Sequence, residues 1–462
     1  MGPNHRHALS PWLIPILSFA TLIAVGTAML MILPLREAHN SHLHMSFIDA
    51  LFMATSAACV TGLSVMNIGK ELTLSGQIVI LVLIQLGGLG IMTFSTGLLL
   101  LLGRSISFRS RFILQDTFTY SPRSDFLSLL RRIIFFTLTI EAAGALLLFT
   151  RFKKVSPSWG TALYQAIFHS VSAFCNAGFS LFSESITGFR SDTIVVFTMC
   201  TLIITGGLGF LVLHELYSST KMHRNLRRLW NGLSLHTRAV IFTTSILLLT
   251  GTLLFVLSEW NVTMKGFSLY ERFLAAIFQS TTTRTAGFNT LDFSSMNNIT
   301  LFGTMILMFI GASPGSTGGG IKTTTFTTLV ALGWCRLRGL EAPSLFKRTI
   351  DEESVGKAMA VFVLATIVIV SGTALLLVAE LGYKPYSETQ GLFIKYLFEA
   401  ISAFGTVGLS MGVTPTLSTW GKLVVTMLMF VGRLGPLTMA MAIRPSPTRA
   451  QYKYAEEKIM VG

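Results

Sequence analysis

The sequence predicts an all-α polytopic membrane protein built from four pseudo-fourfold repeats of helix, re-entrant loop and helix about a common axis. Three observations carry this. Charged residues are 12% of the 462, about half the roughly 25% of a soluble globular chain, and mean hydropathy is +0.65. Long uncharged runs recur, each able to supply the roughly 20 residues that a bilayer core requires. A short glycine-bearing segment appears four times.

The first uncharged run, residues 12–33, follows Arg6 with His5 and His7. A cleaved signal peptide is disfavoured because the apolar stretch exceeds the usual 7–15 or so residues and no small-x-small site follows. It reads as the first membrane helix. Further runs occupy 72–102, 192–213 after Asp192, 239–258 and 358–379. Basic residues gather in 104–132, 221–238, 336–357 and after 444, alternating with connections of lower positive charge at 179–192, 289–298 and 410–419. This positive-inside pattern places both termini and three basic loops in the cytoplasm and requires an even number of spans in the cell membrane. Arg151, Lys153 and Lys154 run against it. The same placement assigns the net charge of +14 to membrane orientation and contact with lipid, not to nucleic acid.

Four cysteines, Cys59, Cys175, Cys200 and Cys335, have neither metal-site nor disulfide-framework spacing. Paired acids, a zinc-protease motif and a Cys/His set are likewise missing from the sequence, so nothing supports a membrane enzyme.

The repeated segments are 52–62, 168–178, 278–287 and 398–408, the third one residue shorter. Each ends in glycine followed by a large apolar residue (Leu63, Phe179, Phe288, Leu409), and a hydroxyl stands six residues earlier (Ser56, Ser172, Thr281, Ser402). The glycines recur after 116, 109 and 121 residues. The chain therefore divides into repeats at 1–103, 104–220, 221–340 and 341–445, with a cytoplasmic tail at 446–462. A second glycine cluster follows each segment by 24 to 28 residues, the longest at 311–320. Stretches near 48–61, 161–177, 269–286 and 391–407 are too short and polar to cross a bilayer. Re-entrant helices explain them, since irregular backbone is tolerated at membrane depth only where it lines a wet cavity. Eight spanning helices and four re-entrant ones are expected.

Stripping water from a potassium ion requires replacement oxygens, and backbone carbonyls supply them without adding charge. Aiming successive carbonyls inward needs angles that glycine permits most easily. The expected ion-binding residues are therefore Val60, Thr61 and Gly62; Asn176, Ala177 and Gly178; Thr285, Ala286 and Gly287; and Thr406, Val407 and Gly408, around a central ion pore. Alone each tripeptide is noise; four in register between apolar helices are not. Five glycines and Pro314 within 311–320 oppose helix continuity and should unwind the third repeat's second helix.

With these segments, with Gly311-Ala-Ser-Pro-Gly-Ser-Thr-Gly-Gly-Gly-Ile-Lys-Thr-Thr-Thr325 and with Phe430-Val-Gly-Arg-Leu-Gly-Pro436, residues 10 to 445 resemble the Trk/Ktr/HKT superfamily of potassium transporters, most closely the membrane subunit of the bacterial Ktr system. The resemblance implies a homodimer with one pore per protomer, resting on a cytosolic nucleotide-binding regulatory ring of the KtrA type supplied by another chain. It implies an intramembrane gate loop comprising Gly311, Ser313, Pro314, Gly315, Ser316, Thr317, Gly318, Gly319 and Gly320, with Lys322 and Arg433 beside it. Lys322 would either reach the cytoplasmic interface or contact the ring. Arg433, about 20 Å along a helix from Trp420, would stand near the axis as a barrier to cations, or pair with a carboxylate or with loop carbonyls. No cofactor is expected in the chain; potassium is the substrate, with sodium a candidate coupling or activating ion. One glycine per segment, with no Tyr-Gly after it, implies weaker selectivity than a potassium channel's.

His169, Gln279 and Glu399 hold equivalent places in three re-entrant helices, either enriching cations or as satisfied buried groups. Glu141 is expected to find an interhelical partner, and Arg284 to bond its own re-entrant helix. Two rivals remain. One is a sodium-permeable member of the same superfamily, disfavoured because the plant members that prefer sodium carry Ser where Gly62 stands. The other is an alternating-access carrier, which four parallel repeats fit less well than two inverted ones.

Overall fold

The computed structural model describes residues 13–39, 42–89, 126–222 and 225–443. Much of the first basic loop and the tail at 446–462 lie outside them. The first repeat holds α1 (Leu13–Ile32), an antiparallel ribbon of β1 (Pro34–His39) and β2 (His42–His44), α2 (Phe47–Ala58) and α3 (Leu74–Gly88). The second holds α4 (Phe126–Phe152), α5 (Trp159–Phe174), α6 (Thr193–Leu208) and α7 (Phe210–Met222). After α8 (Leu226–Gly232) come α9 (Leu235–Glu259), α10 (Leu269–Thr282), α11 (Asn298–Phe309) and α12 (Thr323–Leu337). A small ribbon of β3 (Ser344–Leu345) and β4 (Arg348–Thr349) precedes α13 (Glu352–Leu381), α14 (Leu392–Gly405), α15 (Thr419–Leu434) and α16 (Pro436–Ile443). The chain is thus mostly helical, with two short ribbons the sequence did not announce.

Among the described residues, four helices are long and apolar enough to cross a membrane: Pro15–Ile32, Arg131–Phe152, Leu235–Glu259 and Glu352–Leu381. Each is the first helix of a repeat. Three of the four second helices depart from the expectation of eight continuous spans; the first repeat's run at 72–102 lies outside the described residues beyond Leu89. α6 and α7 meet at 100°, because Gly209 takes φ +95, outside right-handed helical space. α15 stops at Leu434 and α16 restarts after Gly435 at φ +87, where Pro436 is favoured at a helix start. α11 ends at Phe309 and α12 begins at Thr323, the one interruption the sequence reading had placed.

Local signals start the re-entrant helices cleanly. Ser46, Ser158 and Ser268 accept the amides of Asp49, Thr161 and Glu271, and Glu271 returns the bond in a capping box. Each re-entrant helix packs against the first helix of its own repeat. The second helix of each repeat packs against the next repeat's re-entrant helix: α3 on α5, α6 on α10, α11 on α14, and α15 back on α2. The circuit closes on itself. Phe52, Phe168, Phe278 and Phe398 are fully buried within it. On α13, Val363, Ile367, Val370, Leu375 and Val378 face outward while Ala365, Ile369, Gly372 and Leu376 are buried. Such an outward stripe suits lipid and would be a liability in water.

Candidate functional site

The four tripeptides share one backbone conformation. Val60, Asn176, Thr285 and Thr406 have φ +54, +58, +68 and +49, and Gly62, Gly178, Gly287 and Gly408 have φ +98, +70, +77 and +88. Non-glycine residues avoid this region, so four at one register mark strain that the surroundings enforce. The enforcing bonds are visible. Ser56 Oγ accepts the Gly62 amide at 3.1 Å and donates to the Leu63 carbonyl at 2.7 Å; Ser172 donates to Phe179 at 2.8 Å, and Ser402 accepts from the Gly408 amide at 3.1 Å. In the third repeat Thr282, not Thr281, donates to Phe288 at 2.5 Å, while Thr281 bonds Ile277 within its own helix. The missing residue shifts the hydroxyl by one, which alignment by glycine could not show.

The tripeptides also abut in order. A Cβ placed on Gly62 would lie 2.5 Å from the Ala177 oxygen, on Gly178 2.9 Å from that of Ala286, on Gly287 2.5 Å from that of Val407, and on Gly408 2.1 Å from that of Thr61. Each glycine thus makes room for a neighbour's carbonyl, around a closed ring. One face of the ring opens into a cavity of about 340 Å³ that all four glycines line. Among its described lining residues Asp292 is the one charged side chain. Burial alone would raise its pKa, but bonds from Ser294 and Ser295 outweigh burial and hold the carboxyl below its ordinary range. Sequence reading missed Asp292; its signal, an Asp before two serines, is an ordinary helix-cap pattern.

Residues 310–322 fold back on themselves between α11 and α12. The Gly311 amide donates to the Ile321 carbonyl at 2.8 Å, and the Ser313 and Thr317 amides donate to Gly207 and Gly206 at 3.1 and 3.2 Å. Arg433, buried, donates to the Thr317 carbonyl and, at 2.5 Å, to that of Gly87 at the end of α3. Of the alternatives for this residue, pairing with loop carbonyls is the observed one. Lys322 donates to the Gly318 carbonyl at 2.7 Å, so it turns back onto the loop. Arg284 reaches the Gly311 carbonyl at 3.5 Å, a different partner from the expected re-entrant helix.

The remaining polar groups act as internal anchors, though the buried Gln279 Oε1 has no hydrogen-bond partner among the described residues. Glu399 accepts from Ser410 at 2.7 Å and from Thr414. His169 Nδ1 lies 2.7 Å from the Gln165 carbonyl, so that nitrogen carries the proton, and Nε2 accepts from Ser180 at 2.9 Å. Gln279 donates to Leu291 at 3.2 Å. All three tie a short helix to the irregular segment leaving its own tripeptide. Glu141 accepts from Gln85 of α3 at 3.3 Å, the interhelical partner expected. Arg151 pairs with Asp192 at 2.7 Å, which neutralises one of the charges that run against the orientation pattern. Lys422 at the start of α15 pairs with Asp49 of α2 at 2.5 Å, a link the sequence did not suggest.

Fold and site together define a mostly helical protein with several apolar membrane-length helices, in which four short helices end at glycine-bearing tripeptides that abut one another in closed order. The chain belongs to the family described as "TrkH: Cation transport protein", matched over residues 15–452, a family of transporters and not a class of enzymes. It is 38% identical over 450 residues to the "Ktr system potassium uptake protein B" of Vibrio alginolyticus, covering 97% of this chain and 94% of the relative. It is 36% identical over 466 residues to the "Potassium/sodium uptake protein NtpJ" of Enterococcus hirae, covering 100% and 99%. The crystal structure of the potassium transporter TrkH from Vibrio parahaemolyticus superposes with a TM-score of 0.74 at 21% identity, covering 96% of this chain and 87% of that one, and so shares its fold.

Proposed function

We propose that the protein takes up potassium across the cell membrane as the ion-translocating subunit of a Ktr-type system, the ion passing through the ring of Val60–Gly62, Asn176–Gly178, Thr285–Gly287 and Thr406–Gly408 in a pseudo-fourfold pore. The observation that carries this is the closed order of glycine against neighbouring carbonyl around all four tripeptides. Carbonyl dipoles there replace hydration, and the re-entrant helices add the negative ends of their dipoles, since each ends within three residues of its tripeptide. Asp292 concentrates cations in the outer cavity. Residues 311–320, gripped by Arg433 and Lys322, form the gate on the opposite face. Both termini lie in the cytoplasm, and the working assembly is a homodimer on a KtrA-type nucleotide-binding ring. No cofactor is required, and sodium acts as a coupling or activating ion.

A second reading, permeation of sodium as well, is favoured by the likeness to a relative named for both ions. One experiment tests both: uptake into cells lacking their own potassium systems, comparing the native chain with Gly62→Ser at several potassium and sodium concentrations. A raised half-saturation for potassium or lost discrimination against sodium is expected. Unchanged uptake would remove the ring from the pathway and reopen the carrier alternative.

A further inference from the structure

The peptide group joining Gly318 to Gly319 is held from both sides. Its carbonyl oxygen accepts from Lys322 Nζ at 2.7 Å, and its N–H donates to Thr406 Oγ1 at 3.0 Å. Thr406 is the left-handed residue of the fourth tripeptide, at φ +49, and is fully buried. The fit is steric as well as polar. A Cβ on Gly319 would stand 2.4 Å from Thr406 Oγ1, and one on Gly318 2.2 Å from Thr285 Oγ1, so only glycines bring the loop this close to the ring. Arg433 grips the preceding carbonyl, that of Thr317, but is anchored to Gly87, not to a tripeptide.

From this geometry we infer that the Gly318–Gly319 peptide is a latch between loop and ring, so that cation occupancy at the ring's inner face and release of the loop oppose the latched state together. The inference rests on reading the ring as the potassium path. A threonine hydroxyl offers two acceptor sites. In the latched loop one receives the Gly319 N–H, whose positive end points at the oxygen that an ion on the inner face would use. Ion and N–H compete for that oxygen and repel one another. Lys322, drawing charge toward the Gly318 carbonyl, polarises the peptide and strengthens the N–H as a donor. By linkage the effect is reciprocal: an ion that weakens the latch binds more tightly once the latch is open.

The test uses the full chain reconstituted in phosphatidylethanolamine–phosphatidylglycerol vesicles, with potassium flux measured without added partner. Thr406→Val keeps the shape and removes the acceptor; because the same oxygen faces the ion, it is read against Thr406→Ser, which keeps the hydroxyl, and is expected to carry about fivefold more flux than that variant, the shift that one net hydrogen bond confers on an equilibrium. Lys322→Met acts in the same direction, and the double variant exceeds the stronger single by no more than about twofold, as two ends of one bond should. Flux for Thr406→Val at or below that of Thr406→Ser, or multiplying effects in the double variant, overturns the latch. Should Thr406→Val fail to elute as folded protein on gel filtration, Lys322→Met decides, and wild-type flux in it overturns the latch. Wild-type vesicles no more permeable than protein-free ones would overturn the potassium path and the latch with it.

Discussion

At the residue scale the chain spends its strain at four places and braces each one. Gly408 has φ +88, and a Cβ there would meet the Thr61 oxygen at 2.1 Å. That oxygen is backbone, and the Thr61 amide is tied to Ser56 at 2.8 Å, so it cannot retreat. Gly408→Ala should therefore cost about 1–3 kcal/mol of local strain and raise the half-saturation for potassium about tenfold or more in uptake assays. Gly356→Ala is the control: no atom lies within 4 Å of its Cβ position on exposed helix α13. Uptake there should be unchanged and stability slightly higher, by up to about 1 kcal/mol. The hydroxyl braces make a second prediction. Thr282→Val leaves the Phe288 carbonyl without its donor and should lower the thermal midpoint by the equivalent of about 1–3 kcal/mol. Thr281→Val, which gives up a bond within its own helix and one with the Cys200 thiol but orphans no tripeptide carbonyl, should cost less, about 0.5–1 kcal/mol. Equal losses would restore the alignment that six-residue spacing implied.

At the element scale, breaks and bridges matter more than helix length. The run at 192–213 looked like one span by hydropathy, yet Gly209 turns it through 100°, and a Cβ there would lie 2.6 Å from the Pro314 oxygen. The bend exists to let the loop at 310–322 pack against α6, since the Ser313 and Thr317 amides are satisfied by the Gly207 and Gly206 carbonyls that end it. Hydropathy registers how much apolar surface a run carries, and a bend leaves that unchanged. The Asp49–Lys422 pair joins α2 to α15 and so closes the circuit of repeats. With side chains 10% and 14% exposed, removing one partner strands a largely buried charge. Lys422→Met is expected to destabilise by about 3–5 kcal/mol, and Asp49→Asn combined with Lys422→Met to recover part of it. Thermal unfolding in detergent measures both, and a double variant no better than the single would mean the bridge contributes no pairing energy.

At the scale of the whole molecule, the placement of charge predicts an orientation that labelling can test. All four cysteines are buried, so labelling by an impermeant thiol reagent has a low background. A cysteine at exposed Ser183, beside the outer cavity, is expected to react in intact cells, and one at exposed Glu341, in a basic loop, only after permeabilisation. The reverse pattern would invert the topology. In the proposed orientation Arg151, Lys153 and Lys154 would lie outside, and the Arg151–Asp192 pair would neutralise one of the three, while orientation responds to the sum over loops.

The sequence by itself determined the class, the fourfold recurrence of the glycine-bearing segment and the unwound stretch at 311–320. Each is a local matter of composition, period or glycine content, and local signals survive without knowledge of neighbours. Tertiary structure decided the rest. Which carbonyl each ring glycine admits, that Thr282 replaces Thr281, that Arg433 bonds Thr317 and Gly87, and that Thr406 receives the Gly319 amide all pair residues from different repeats or depend on a one-residue shift in register. Such pairings are set by how helices cross and how closely backbones approach, quantities that no spacing along one chain encodes.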